Sequence, residues 1–276
     1  MVADIDAALY ERDPPKVTTL YGLKMPTASR QTVRYDDGTG DELDVPMGGT
    51  AFVSGSHTFD ILPAPLKSLA VRAKVQYAPH PYVWMQACGA LPTGLGLYSE
   101  GQEPALEDLP PYEESKIKTL PMTWKNPVTG KLHLQVHPSG IQTLHGAPLP
   151  EGAEREGALY PDGAHLTDLK QVRELVYSMQ RPGIAPDLVY THDWRPKDLA
   201  LFHNRGVLHS ITSEFAKDEQ RGESGWQRVG CGVTVADWSL LLQLSGSATW
   251  RLRCRWTARQ RRTWRSMPEV HLCEWR

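Results

Sequence analysis

198-DLALFHNRGVLHSITSEFAKDEQR-221 is the stretch of the chain that decides the fold. Its first part, Asp198–His203, is apolar enough to form a strand. The following Asn204–Gly206 predicts a turn, because Asn and Gly tolerate left-handed backbone angles. A second short strand is predicted over Val207–Ile211, in which side chains alternate between the two faces. This alternation places His209 on the inward face together with the two aliphatic residues at the ends of the strand.

The sequence around His209 allows two interpretations of this residue, a core role and a chemical role. An inward histidine on a strand is often a core residue whose ring is satisfied by local hydrogen bonds. A chemical role is favoured by Asp6, which lies in an Asp-Ile-Asp triplet, and by Arg221, which follows His209 by twelve residues. A carboxylate from such a triplet, a distant imidazole and a following Arg form the skeleton of a non-haem Fe(II) site that uses 2-oxoglutarate.

Long unbroken segments of the chain carry a family resemblance, namely residues 5–26, 32–63, 69–85, 122–140, 156–163 and 198–211. They resemble the fungal branch of the TauD/TfdA dioxygenases, and within that branch the group that uses 2-oxoglutarate to hydroxylate xanthine. The resemblance implies a mostly β fold with flanking helices, the double-stranded β-helix or jelly roll. It also implies Fe(II), O2 and 2-oxoglutarate as reactants. A purine such as xanthine would then be converted to urate, with succinate and CO2 as co-products.

The resemblance assigns roles to five residues. Asp6 and His209 are the implied metal ligands, and Asp4 stands where the family has the His of a His-x-Asp triplet. Thr50 matches the family threonine whose hydroxyl helps to hold the 2-oxoglutarate carboxylate. Arg221 has the spacing of the family arginine that binds the same carboxylate through two parallel hydrogen bonds. The resemblance assigns no residue to substrate binding.

The Asp4 position also supports an alternative function. A carboxylate in place of a neutral imidazole adds negative charge to the site and is expected to weaken Fe(II) chemistry. The alternative to an active dioxygenase is therefore a non-catalytic remnant, or a mis-spliced form, of such an enzyme.

The chain is expected to divide near residue 221. Residues 1–221 would form the dioxygenase domain, shortened at its N-terminal end so that the jelly roll is incomplete. Residues 222–276 would form a divergent tail that need not fold. From Trp250 to Arg276 this tail has eight Arg, no Lys, two Glu and four of the nine Trp, so its net charge is +6 and that of the rest is −8. An Arg/Trp-rich tail can also bind nucleic acid, which the sequence favours least.

Composition sets broader limits on the function. The chain has 276 residues, of which 40% are hydrophobic and 22% are charged, as is typical of a globular enzyme. No apolar run approaches the roughly 20 residues that span a bilayer, so no membrane partner is expected. The four cysteines lack CxxC spacing and the first residues lack the pattern of a signal peptide, so the predicted location is cytoplasmic.

Two further patterns predict secondary structure. A helix is predicted over Asp168–Gln180, with Thr167 as its N-cap. Lys131–His137 alternates as a strand, with three aliphatic residues on one face and His133, Gln135 and His137 on the other. The two histidines would lie about 13–14 Å apart by strand rise, too far to share one ion, and we interpret them as structural or pocket-lining residues.

Overall fold

The computed structural model describes residues 9–22, 30–35, 37–46, 49–85, 101–196, 198–211 and 270–274. Within these ranges the chain forms fourteen strands and four α-helices. The strands are β1 (Val17–Tyr21), β2 (Arg30–Arg34), β3 (Glu42–Pro46), β4 (Thr50–Ser54), β5 (Ala73–Tyr77), β6 (Thr119–Pro121), β7 (Thr123–Lys125), β8 (Leu132–Leu134), β9 (Ile141–Gly146), β10 (Ala164–Leu166), β11 (Tyr190–His192), β12 (Asp198–His203), β13 (Val207–Ile211) and β14 (Val270–Glu274). The helices are α1 (Gly55–Ile61), α2 (Ala64–Arg72), α3 (Pro81–Trp84) and α4 (Leu169–Gln180). The predicted class, mostly β with flanking helices, is confirmed.

The strands of the described residues pair only in antiparallel fashion. They form three sheets, with the strand orders β1-β12-β14, β10-β9-β5-β6 and β11-β4-β13. Two further pairs, β2 with β3 and β7 with β8, form separate two-stranded sheets. None of the helices in the described ranges is long and apolar enough to cross a membrane.

The β12–turn–β13 unit has the bounds that the sequence predicted. β12 pairs with β1 and β14, whereas β13 pairs with β4, so the turn over residues 204–206 carries the chain from one sheet to another. Within the predicted tail, the structure describes Val270–Glu274, which forms β14. The domain boundary at residue 221 stays a prediction.

β4 is the strand at the centre of the core, and both of its faces are buried. Ala51 and Val53 belong to the larger hydrophobic cluster, which lies against the helices. Phe52 points the other way, into a second cluster that joins the β4 sheet to the β12 sheet. The other members of this second cluster are Tyr190, Ala200, Phe202 and Val207. The two faces of one strand therefore serve two different packing interfaces.

The predicted helix is present as α4, but its N-cap is one residue later than expected. Asp168, and not Thr167, caps the helix, because its carboxylate accepts a hydrogen bond of 2.7 Å from the backbone N–H of Gln171. The helix has an apolar stripe of Leu169, Val172, Val176 and Met179, of which Leu169 is only half-buried. The buried residues of this stripe are Val172, Val176 and Met179.

The predicted strand over Lys131–His137 is also shorter in the structure. β8 ends at Leu134, and the chain continues without regular pairing to a short 3-10 turn over Pro138–Gly140. His133, Gln135 and His137 are nevertheless almost completely buried. The face that the sequence marked as polar therefore faces inward as well.

Arg181, just beyond α4, binds the turn between β2 and β3. Its guanidinium bonds with the carboxylate of Asp37, with Asp41 at 2.7 Å and with Thr39 at 3.0 Å. It also stacks over the Tyr35 ring at 4.7 Å. The hydrogen bonds from Arg181 and Thr39 lower the pKa of Asp37 well below its ordinary value of 3.8. One cation thus joins the end of the helix to this turn.

We expect Arg181→Met to lower the thermal stability most at neutral pH. Because the pKa of Asp37 is lower in the folded state than in the unfolded chain, its stabilisation is present above about pH 4 and is lost as the pH falls further. The difference in Tm between the unmodified protein and the variant should be widest at pH 7 and should narrow towards pH 3. Thermal melts across this range measure it, and a difference that stays constant with pH would contradict the assignment.

Candidate active site

The β11-β4-β13 sheet places two of the predicted site residues side by side. In the register of β4 and β13, Thr50 lies opposite Ile211 and Phe52 lies opposite His209. Residues that are opposite each other in an antiparallel pair share a face, as do residues two apart on one strand. Thr50 and His209 are therefore diagonal neighbours on one face, a relation in which residues lie about 7–8 Å apart.

The His209 ring lies half-buried between two sheets. Its centroid is 6.4 Å from that of Phe52 and 5.2 Å from that of Phe202. The inward placement that alternation predicted is confirmed, although the neighbouring rings come from other strands and were not foreseen. The site therefore consists of an imidazole set in a largely aromatic wall.

His137 lies within electrostatic reach of His209. Burial, and to a smaller extent a positive charge on His209, lower the pKa of His137 to about 3. Ser139 Oγ lies 3.0 Å from Nδ1 of His137 and holds its ring. His137 is consequently a neutral imidazole at pH 7. The interpretation of His137 as a structural or pocket-lining residue stays a prediction.

His133 and Gln135 hold the turn that precedes β13. Nδ1 of His133 is 3.2 Å from the carbonyl of Gly206. The Gln135 amide donates to the carbonyls of Asn204 at 2.6 Å and Val207 at 3.1 Å. Because the turn leads directly into the strand that carries His209, these two residues have the structural role that the sequence suggested.

The same turn is tied to the N-terminal part of the chain. Asn204 donates from its backbone to the carbonyl of Lys16 at 3.0 Å and from its side chain to that of Pro15 at 3.2 Å. The Arg205 guanidinium donates to the carbonyl of Pro14 at 2.9 and 2.6 Å. The described residues that follow the Asp-Ile-Asp triplet are thus anchored beside the start of β13.

Thr50 is held by a residue that sequence reasoning left outside the site. The indole N–H of Trp194 donates to Thr50 Oγ1 at 2.9 Å. Trp194 and Asp198 lie on either side of the loop that leads into β12. Asp198 fixes this loop, since its carboxylate accepts from the backbone N–H of Arg195 at 2.8 Å. Trp194 contacts a predicted site residue, and because 144 positions separate the two partners, no local pattern could have shown it.

Three of the predicted site residues lie outside the part of the chain that the structure describes. They are Asp4, Asp6 and Arg221. Among the described residues, no group of three or more His, Cys, Asp or Glu side chains is arranged to hold a metal ion. The structure therefore brings together Thr50 and His209, and the other three assignments stay predictions.

Comparison with protein families gives one match over most of the chain. The family described as taurine catabolism dioxygenase TauD, TfdA family matches residues 5–228. The chain is 56% identical over 220 residues to the alpha-ketoglutarate-dependent xanthine dioxygenase of Neurospora crassa, a match that covers 79% of this chain and 49% of that protein. It is 52% identical over 217 residues to the corresponding enzyme of Emericella nidulans, with coverage of 79% and 55%. The chain thus spans about half the length of the curated relatives that it matches.

A solved structure also matches the chain. It is the crystal structure of a putative alpha-ketoglutarate-dependent 2,4-D dioxygenase from Burkholderia xenovorans. The TM-score is 0.42 at 16% sequence identity, and the match covers 72% of this chain and 55% of that one.

Proposed function

The chain belongs to the TauD/TfdA family of dioxygenases, and we propose that it carries the catalytic centre of an Fe(II)- and 2-oxoglutarate-dependent hydroxylase of a purine such as xanthine. The identity of 56% to a protein named as a xanthine dioxygenase supports this substrate class. A cytoplasmic location, without a membrane or nucleic-acid partner, is part of the proposal.

The adjacency of Thr50 and His209 carries the proposal. Fe(II) sites in oxygenases use two imidazoles and one carboxylate on one face, which leaves positions for a bidentate 2-oxoacid. His209 is a suitable donor, because its imidazole lies in an apolar wall one diagonal step from the hydroxyl of Thr50. Such a hydroxyl can donate to the carboxylate of a ligand bound beside the imidazole. The His209 imidazole and the Thr50 hydroxyl on this face therefore fit the binding of Fe(II) and 2-oxoglutarate, which the family uses.

Asp6 and Asp4 would supply the remaining ligands, and Leu9 is the first described residue after them. Leu9 is fully buried, and its Cδ1 packs beside Gly140, 3.7 Å from the place of a Cβ there. Gly140 belongs to the turn that follows His137, whose pKa a charge on His209 helps to lower. Three extended residues span about 10 Å. The proposal therefore requires the Asp6 carboxylate to lie within about this distance of Leu9.

The predicted site residues would have two separate roles. Thr50 and Arg221 would hold the carboxylate of 2-oxoglutarate, and His209 with Asp6 would hold Fe(II). The aromatic rings around His209 would reduce the contact of the site with water, which strengthens electrostatic interactions there. Fe(II) and 2-oxoglutarate, when bound, would supply the activation of O2 for hydroxylation, with succinate and CO2 as co-products.

A second candidate is a non-catalytic remnant of such an enzyme. It is favoured by Asp4, which places a carboxylate where the family has an imidazole. The two candidates differ in an observable property. A working site that contains Fe(II) and 2-oxoglutarate without O2 has a weak visible charge-transfer band, and a remnant that binds metal poorly has none.

We expect the unmodified chain to show this band in an anaerobic titration, and Thr50→Val to weaken 2-oxoglutarate binding about 10- to 100-fold. The loss corresponds to one hydrogen bond to a charged group, about 1.5–3 kcal/mol. Thr143→Val, which changes a strand threonine of another sheet, serves as the control and should bind 2-oxoglutarate as the unmodified chain does. A chain without the band would favour the non-catalytic remnant.

A further inference from the structure

We infer that Trp194 is a positioning residue that directs the hydroxyl proton of Thr50 towards the co-substrate carboxylate. This inference rests on the proposed function, because it assigns a partner to the 2-oxoglutarate contact of Thr50. Trp194 lies in the segment after β11, whereas the described site residues Thr50 and His209 lie on β4 and β13. The observation behind the inference is the hydrogen bond of 2.9 Å between Trp194 Nε1 and Thr50 Oγ1.

The direction of this hydrogen bond is fixed by the chemistry of the two groups. An indole nitrogen is a donor only, whereas a hydroxyl has one proton and two acceptor lone pairs. Oγ1 of Thr50 must therefore accept from Trp194, and its own proton has to be donated elsewhere. Within the described residues, Trp194 is the one hydrogen-bond partner of Oγ1. The Thr50 hydroxyl can therefore donate its proton to a ligand. A carboxylate, which only accepts hydrogen bonds, is a suitable acceptor.

The Trp194 indole is held from two sides. On one side the ring of His192 meets it edge-on, with centroids 4.5 Å apart and an interplanar angle of 86°. On the other side lies Gly22, where a Cβ would be 3.3 Å from Trp194 Cε3 and 2.9 Å from the carbonyl of Arg195. Any side chain at position 22 would therefore push against the loop that carries the indole. This packing fixes the place from which the N–H donates.

His192 is in turn oriented by two polar contacts. Its Nε2 lies 3.2 Å from the Asp198 carboxylate, and its Nδ1 lies 3.0 Å from the hydroxyl of Tyr190. A proton on Nε2 of His192 suits the electrostatic contact with this carboxylate, and the Tyr190 hydroxyl can then donate to Nδ1. The imidazole thus has a hydrogen bond at Nδ1 and an electrostatic contact at Nε2, while its ring packs against the indole. Asp198 therefore supports Thr50 indirectly, in addition to fixing its own loop.

The chain offers a matched control for the loss of an indole N–H. Trp124, in β7, packs against the larger cluster and lies 5.3 Å from the Arg205 guanidinium. Within the described residues, its buried N–H has no hydrogen-bond partner. Trp124→Phe therefore removes the same group from a tryptophan that does not contact the site.

The test measures 2-oxoglutarate binding to the full chain in the presence of Mn(II) by isothermal titration calorimetry. Trp194→Phe is expected to weaken binding about 3- to 10-fold, the range of one neutral hydrogen bond, whereas Trp124→Phe leaves binding unchanged. A merely structural role is separated by repeating Trp194→Phe in a Thr50→Val background. A positioning role predicts no further loss there, because the hydroxyl that Trp194 directs is already gone.

Each outcome decides one question. Equal binding by the unmodified chain and Trp194→Phe would overturn the inference and leave the proposed function in place. The same loss from Trp194→Phe with and without the Thr50 hydroxyl would also overturn it, since the effect would then be general. An unmodified chain that binds Mn(II) but no 2-oxoglutarate would overturn the proposed function itself, and the inference with it.

Discussion

His209→Ala is expected to lower Fe(II) affinity by at least about 100-fold and to abolish 2-oxoglutarate consumption. Loss of an outer-sphere partner of a metal ligand already costs about 10–100-fold in affinity or activity, and loss of the ligand itself costs more. The ring lies between Phe52 and Phe202, so the variant would replace the donor by a cavity in an apolar wall. Metal titration under anaerobic conditions and succinate release in air measure the two effects.

The control for this prediction is a histidine on another sheet. His165 is exposed on β10, and its ring stacks on that of His145 at 4.3 Å. His165→Ala removes an imidazole without touching the β4 sheet and should keep the metal affinity of the unmodified chain. If His209→Ala binds Fe(II) as tightly as His165→Ala does, His209 is a core residue and the assigned metal centre is wrong.

The inward direction of His209 was predictable because it depends only on strand alternation. A strand has a side-chain period of two, and the turn residues Asn204–Gly206 fix where β13 begins. The rings around His209 were not predictable in this way. Phe52 is 157 positions away in the chain, and its place opposite His209 depends on the register between β4 and β13. Local patterns carry no information about that register.

The N-cap of α4 is a second feature that local sequence patterns do not determine, although the error is only one residue. Thr167 and Asp168 are both good capping residues, so propensity alone does not choose between neighbours. The choice depends on which side chain reaches a free N–H of the first turn, and Asp168 reaches that of Gln171. An error of one residue at a helix end is therefore expected from sequence.

His133, Gln135 and His137 alternate in the sequence before the Pro138–Gly140 turn, and their side chains are buried in the structure. Their pattern predicted a common face, and they were assigned structural or pocket-lining roles. The partners of that face came from the structure, since Gln135 bonds to carbonyls around the 204–206 turn. The partner of Ser139, the Arg173 side chain on α4, was likewise hidden from the sequence.

Arg173→Met is expected to lower the free energy of unfolding by about 3–5 kcal/mol, the cost of breaking a buried ion pair by removing one partner. The Arg173 side chain is 0% exposed and bonds to Glu103, whose side chain is 6% exposed. The guanidinium also donates to the carbonyl of Ser139 at 3.1 Å and lies 5.5 Å from the Trp84 ring. Without it the Glu103 carboxylate would stay buried without its cation. Urea unfolding at pH 7 measures the loss.

Lys170→Met provides the matched control on the same helix. Lys170 pairs with Glu174 at 3.8 Å on an exposed face, and such pairs contribute about 0–1 kcal/mol. A second variant separates the cost of the unpaired Glu103 carboxylate from the loss of the other contacts of Arg173. If the unpaired carboxylate is the main cost, Arg173→Met combined with Glu103→Leu should recover much of the stability, because apolar pairs often replace buried ion pairs without loss. If Arg173→Met unfolds at the same urea concentration as Lys170→Met, the buried pair does not stabilise the fold and the turn beside His137 is held by other contacts.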